Sequence, residues 1–298
     1  MEKKLAFLGL GVMGKPMAEN LQQAGCSLKA WNRTKNRPHL QNTFLPLVDT
    51  IAEAVAEADI IFTCLGDVPD VEEVLLGEAG VIHYARSSSL VVDFSTIGPR
   101  AAQAIAQKLA TKGIHFLDAP VSGGDIGAKQ GTLTIMVGGD KLDFDLCLPY
   151  FQILGKNITY CGPTGSGQAV KLCNQVLASL HMVALCEAIT LAKIQNIDPQ
   201  LVVRVCSTGA ASSWALTNLG PKILQQDYQP GFMIKHILKD LRLVTEALQD
   251  TSYSLPGVQL ARQLFETAAR LIGQEGYNLG TQAMIRAYLG EDKDNLPG

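Results

Sequence analysis

The run Leu5-Ala6-Phe7-Leu8 passes directly into Gly9-Leu10-Gly11-Val12-Met13-Gly14, and an apolar-striped stretch through Met17, Leu21 and Ala24 follows. A buried strand, three spaced glycines and a helix start, in that order, form a dinucleotide-binding turn. Its glycines permit a tight turn and close backbone approach, and the helix start presents free N–H groups to a pyrophosphate. Gly9, Leu10, Gly11, Val12, Met13 and Gly14 are therefore expected to line a cofactor. The turn restricts the fold as well, because it works at the head of a βαβ unit.

Further strands are predicted at βα spacing: residues 28–31, 59–65, 90–94, 114–118 and 132–137, with helical stretches such as 101–110 between them. Runs this apolar belong to a mostly parallel sheet covered on both faces. The expected fold class is α/β: a Rossmann-type doubly wound sheet followed by an all-helical C-terminal domain. The expected domains are an NADP-binding part at 1–164, a long interdomain helix at 165–194, and an all-α substrate and oligomerisation part at 195–298.

The second predicted strand ends in Asn32-Arg33-Thr34, where an acid would hold the ribose 2′-hydroxyl of NAD. Asn32, Arg33 and Thr34, with Lys35 or Arg37 nearby, instead offer donors to a 2′-phosphate. NADP is thus the expected cofactor and NAD the less favoured one. Ligands of such sheets sit beyond the carboxyl ends of the strands. Two polar clusters fall there: Ser95-Thr96, and Ala119-Pro120-Val121-Ser122-Gly123-Gly124, whose serine and glycine N–H groups suit a carboxylate.

A net charge of -3 with 18% charged residues speaks against nucleic-acid or membrane-surface binding. The seven cysteines are scattered through mostly apolar runs, as free thiols in a reducing compartment are, and no metal set stands out. Lys3-Lys4 before the apolar run superficially resembles a signal peptide, but the three glycines break that run. The longest uncharged candidate span, 172–186, contains Asn174, Gln175, Ser179 and His181 and is too short and polar to cross a bilayer. A soluble, cytoplasmic protein is expected.

The stretch from Gly162 to Asn174 joins the two halves: a glycine-punctuated loop becomes a helix that carries Lys171 and Asn174 on one face. Gly165 and Gly167 read as a hinge there. Lys171, near the positive helix end and flanked by Val170 and Leu172, is expected to feel pressure toward a lowered pKa. The helix is apolar nearly all round from Val176 to Leu191, so burial and partial packing against another subunit are expected, with His181 in the core or an interface.

Residues 9–18, Asp118 to Gly124, Gly165-Ser166-Gly167 with Lys171 and Asn174, and Phe232 with Lys239-Asp240-Leu241 together resemble the signatures of the β-hydroxyacid dehydrogenase family. The glyoxylate/succinic semialdehyde reductase branch is the most similar, with 3-hydroxyisobutyrate and tartronate semialdehyde dehydrogenases as relatives. The resemblance implies that Lys171 is the catalytic lysine and Asn174 its companion. It places Ser122, Gly123 and Gly124 at the substrate carboxylate, and Thr96 between nicotinamide and substrate. It assigns Phe232 and Lys239 to the nicotinamide end, Asp240 to the substrate, and Leu65 to the cofactor.

The implied activity is NADPH-dependent reduction of a small aldehyde acid by a homodimer or homotetramer. NAD(P)-dependent oxidation of 3-hydroxyisobutyrate is the first alternative, and a silent nucleotide-sensing module a remote one. Two departures from the family pattern are Gly66-Asp67 after the third strand and Tyr277-Asn278-Leu279-Gly280-Thr281 near the end.

Overall fold

The computed structural model describes residues 3–34, 38–41 and 43–289, so Lys35 and Arg37 lie outside the described residues. The chain forms two compact units, Met1–Lys171 and Leu172–Gly298.

In the first unit, strands β1 (Leu5–Leu8), β2 (Leu28–Trp31), β3 (Ile60–Thr63), β4 (Leu90–Asp93), β5 (His115–Asp118), β6 (Val121–Ser122), β7 (Leu133–Gly138) and β8 (Gly155–Gly162) form one sheet. Its order is β2-β1-β3-β4-β5-β7-β6, with β8 on β7. The first five strands are parallel; β7 runs antiparallel to β5 and β6 and parallel to β8. Helices α1 (Gly14–Gln23), α2 (Ile51–Val55), α3 (Val68–Leu76), α4 (Val81–Tyr84), α5 (Pro99–Ala110), α6 (Gly124–Gln130) and α7 (Lys141–Leu154) connect them. Alternate strand residues feed two cores: Phe7, Phe62 and Val92 face one side, and Ala6, Leu8, Ile61 and Val91 the other. Burial on both faces is why these strands read as unbroken apolar runs.

Two strands escaped the sequence reading. β6 has only two residues, inside what reads as a Pro-Gly loop, and β8 carries an exposed, polar stretch with Lys156 and Asn157.

Helix α8 spans Ser166–Ile194, so the division between the units falls inside it. In the second unit follow α9 (Pro199–Cys206), capped by Asp198, and α10 (Trp214–Leu224), capped by Ser213. Then come α11 (Ile234–Ala247), α12 (Pro256–Ile272) and α13 (Arg286–Leu289). A 3₁₀ turn, Thr281–Ile285, precedes α13.

Within the single chain α8 is buried on one side only. Met182, Cys186 and Ile189 are buried, but Leu177, Leu191 and Ile194 are exposed, and His181 faces outward with them. By length and composition alone α8 could cross a membrane. Along it, however, Gln168, Lys171, Gln175 and Ser179 are buried polar side chains, which suits a helix packed inside a protein.

Candidate active site

The strand register aligns the carboxyl ends of the parallel strands: Trp31, Leu8, Thr63, Asp93 and Asp118 stand side by side. Chain order reverses on either side of β1, between β2 and β3, and in such sheets a ligand enters beyond the strands at that point.

The turn after β1 suits the nucleotide. Gly9 has φ +97°, and a Cβ there would strike the Cys64 carbonyl; a Cβ on Gly14 would strike the Gly9 carbonyl. Both positions need glycine for close approach. Gly11, by contrast, faces open space, and no side chain caps α1. A bare backbone beside an uncapped helix start is what a pyrophosphate requires. Val12, 57% exposed, stands at the rim of this turn with Leu10 buried beneath it and Met13 at the helix cap.

At the end of β2 the expected donors part company. Asn32 Oδ1 accepts from Leu10 N–H at 2.8 Å and its Nδ2 donates to the Thr34 carbonyl at 2.7 Å. The side chain therefore joins the glycine turn to the β2 turn, which corrects its reading as a phosphate donor. Arg33 is exposed and reaches Asp70 Oδ1 at 2.8 Å, while Thr34 is exposed beside it. The Gly66-Asp67 departure has a local cause: Asp67 accepts from Val68 N–H and caps α3.

Helix α8 starts against the ends of β4 and β5. Asp118 accepts from Gly165 N–H at 2.7 Å and from Gln168 N–H at 2.9 Å. First-turn N–H groups have no intrahelical partner, so a carboxylate from another element completes them and meets the positive helix end. Gln168, fully buried, adds a second clamp: its Oε1 accepts from Ile97 and Gly98 N–H, each at 3.0 Å, and its Nε2 donates to the Ser95 carbonyl at 2.8 Å. Ser95 Oγ donates to Asp93 at 2.6 Å and accepts from Leu65 N–H at 2.8 Å; Thr63 donates to the same Asp93 oxygen at 2.7 Å.

One network thus joins the Leu65 turn, the Thr96 loop and the start of α8. Lys171, on the next turn, is 6% exposed.

Gly165 and Gly167 are not a hinge. Gly165 has φ +93°, which turns the chain into the helix, whereas a Cβ on Gly167 would strike the Met136 carbonyl and lie 2.8 Å from the Asp118 carbonyl. Gly167 lets α8 lie flush on the sheet. Ser122 ends β6, paired with Thr134, and Gly123 (φ +134°) and Gly124 (φ +63°) lead into α6. Ser122 and Thr96 are both half-buried.

In the second unit, Asn174 Nδ2 donates to Gln175 Oε1 at 2.8 Å, and Gln175 Nε2 donates to Asp240 Oδ2 at 2.6 Å. Lys239 Nζ stands 2.8 Å from Asp240 Oδ1, an ion pair not aligned as a hydrogen bond. Asp240 is 2% exposed and is joined to Asn174 through Gln175. Phe232 packs against His236 with ring centroids 5.7 Å apart. Burial, with Lys235 and Lys239 nearby, holds the His236 pKa below its usual value. The Tyr277-to-Thr281 departure supports Phe232: Thr281 N–H donates to the Phe232 carbonyl and Gly280 bridges Met233.

A sheet of this order with a bare glycine turn is that of a dinucleotide-binding domain, and known proteins agree. The family model described as the NAD binding domain of 6-phosphogluconate dehydrogenase matches residues 4–162. A second, the NAD-binding part of NADP-dependent 3-hydroxyisobutyrate dehydrogenase, matches 165–288. An uncharacterised oxidoreductase of Synechocystis sp. is 53% identical over 96% of this chain and 98% of its own. The 2-hydroxy-3-oxopropionate reductase of Escherichia coli is 38% identical over 95% and 96%. Among solved structures, a Mycobacterium tuberculosis 3-hydroxyisobutyrate dehydrogenase with L-serine has a TM-score of 0.86 at 30% identity, covering 97% and 99%. The chain belongs to the β-hydroxyacid dehydrogenase family, and its activity is that of an NAD(P)-dependent β-hydroxyacid dehydrogenase.

Burial pushes both Asp93 and Asp118 up to about 6, against the hydrogen bonds that favour their ionised forms. Between the ordinary aspartate value of 3.8 and about 6, the folded chain holds protons that the unfolded chain has released. This contribution to stability is full below that window and is lost as pH rises through it. Asp93→Asn keeps an acceptor for Thr63 and Ser95 but cannot titrate. Its melting temperature should fall less steeply than wild type from pH 4 to 6.5 (about the window of these shifts); an unchanged slope would refute the assignment.

Proposed function

We propose that this enzyme reduces a small aldehyde acid, such as glyoxylate or succinic semialdehyde, to the hydroxy acid with NADPH. The observation that carries the reading is Lys171: its side chain is buried one turn beyond a helix start fixed to the ends of β4 and β5. The bound reduced nicotinamide supplies hydride to the aldehyde carbon. Negative charge then grows on the aldehyde oxygen, where the Lys171 ammonium stabilises it and delivers a proton. Asn174, three residues on and on the same helical face, helps orient the reacting groups. Ser122 with the N–H groups of Gly123 and Gly124 holds the substrate carboxylate. Thr96 lies between substrate and nicotinamide, and Phe232 and Lys239 cover the nicotinamide end.

The choice of an aldehyde acid is supported by the E. coli relative, whose name specifies an oxopropionate as the compound reduced. The second reading, oxidation of a β-hydroxy acid such as 3-hydroxyisobutyrate, draws on the M. tuberculosis dehydrogenase. Both use the same groups, with Lys171 taking the hydroxyl proton in the oxidative direction. Lys171→Ala should lower kcat for glyoxylate or succinic semialdehyde by at least about 10²-fold while NADPH affinity stays unchanged. Normal turnover in the variant would remove Lys171 from the mechanism.

The preference for NADPH rests on Arg33, with no carboxylate following β2 to repel a 2′-phosphate. Asp70 competes with that phosphate for the guanidinium. Asp70→Asn should therefore tighten NADP binding relative to NAD by roughly two- to fivefold, the scale of an exposed ion pair. The dissociation constants follow from fluorescence titration of both cofactors. Tighter binding of NAD than NADP by wild type, or an unchanged ratio in the variant, contradicts the reading.

A further inference from the structure

The amides of Asn174 and Gln175 lie in series with a buried carboxylate, and the chemistry of that carboxylate sets the direction of the series. Asp240, in its ion pair with Lys239, is a carboxylate and only accepts hydrogen bonds. The end of Gln175 that faces it must be the NH₂ group, at 2.6 Å. The other end of Gln175 is then its carbonyl, which also only accepts. Asn174 must meet that carbonyl with its own NH₂ group, at 2.8 Å. Amide nitrogen and oxygen are hard to tell apart by shape, but here the order follows from donors and acceptors alone.

We propose that Asp240, acting through Gln175, fixes the Asn174 amide with its carbonyl oxygen as the working end. Asn174 then serves the reaction as an acceptor. It can hold a donor, such as the Lys171 ammonium or the hydroxyl of a hydroxy acid, and it rejects the substrate carboxylate, which must bind elsewhere. Gln175 and Asp240, 3% and 2% exposed, are positioning residues that act on the reaction through Asn174. This inference rests on the reading of Lys171 and Asn174 as the reacting pair.

A charge-conserving exchange tests the direction of the series. In Asp240→Asn the last group both donates and accepts, so either direction becomes possible. We expect kcat for glyoxylate or succinic semialdehyde to fall by about tenfold, the scale of one misdirected hydrogen bond, and the melting temperature to fall as well because Lys239 loses its buried partner. Adding Gln175→Glu restores the order, because the new carboxylate accepts from both Asn174 and the amide at position 240. The double variant should regain most of the lost kcat although the ion pair with Lys239 stays broken. A double variant no better than Asp240→Asn would overturn the proposal.

A second readout needs no substrate and no double variant. In ¹⁵N spectra of the free protein, the Asn174 side-chain NH₂ pair, identified by its loss in Asn174→Asp, should exchange slowly in wild type and rapidly in Asp240→Asn. The same exchange in both would overturn the proposal. If wild type reduces no aldehyde acid with either nicotinamide, the proposed activity fails, and the NH₂ signal still decides the direction of the series.

Discussion

The Asp118 carboxylate is the group on which the placement of the α8 start depends. It ends a central strand, is buried, and gives its two oxygens to the N–H groups of Gly165 and Gln168. Burying a carboxylate is costly, and the raised pKa records that cost. Two backbone donors and the positive end of a long helix offset part of it. The first turn of α8 is thereby attached to the sheet by direct bonds, and Lys171 inherits its position from β5.

Gln168 extends this attachment to the neighbouring strand end. Its amide satisfies two N–H groups and one carbonyl of the 95–98 segment, so the loop that carries Thr96 and the helix that carries Lys171 are fixed to each other. Ser95 carries the connection on to Leu65 and, through Asp93, to Thr63. In the second unit the same economy of buried amides recurs, with Asp240 and Gln175 behind Asn174. Each of these two glutamines of α8 thus meets an element remote in sequence.

Much of this was legible in the sequence for a definite reason. β1, β3 and β4 are buried on both faces, so their apolar runs were unmistakable, and Gly9 and Gly14 announced a turn that only glycine can make. Lys171 was conspicuous because it interrupts an apolar helix. Gln168 and Gln175 passed unnoticed, since a glutamine in a helix is ordinarily a solvated residue. A signal existed: Gln168, Lys171 and Gln175 recur at helical spacing within an apolar stretch and so share one face. The bonds of Asp118 to α8 had no local signature, because they span 47 and 50 residues. Asn32 misled for a related reason: its partner Leu10 is supplied by another turn.

Amide hydrogen exchange at Gln168 is the most direct test of this account. An N–H in the first turn of a helix ordinarily exchanges rapidly, because no carbonyl of the helix accepts from it. If the Asp118 carboxylate holds the start of α8 on the sheet, the Gln168 N–H should exchange as slowly as the amides of β4 and β5. Exchange at the rate of an open helix start would show that α8 is not anchored there, and the geometric basis for Lys171 would fall with it.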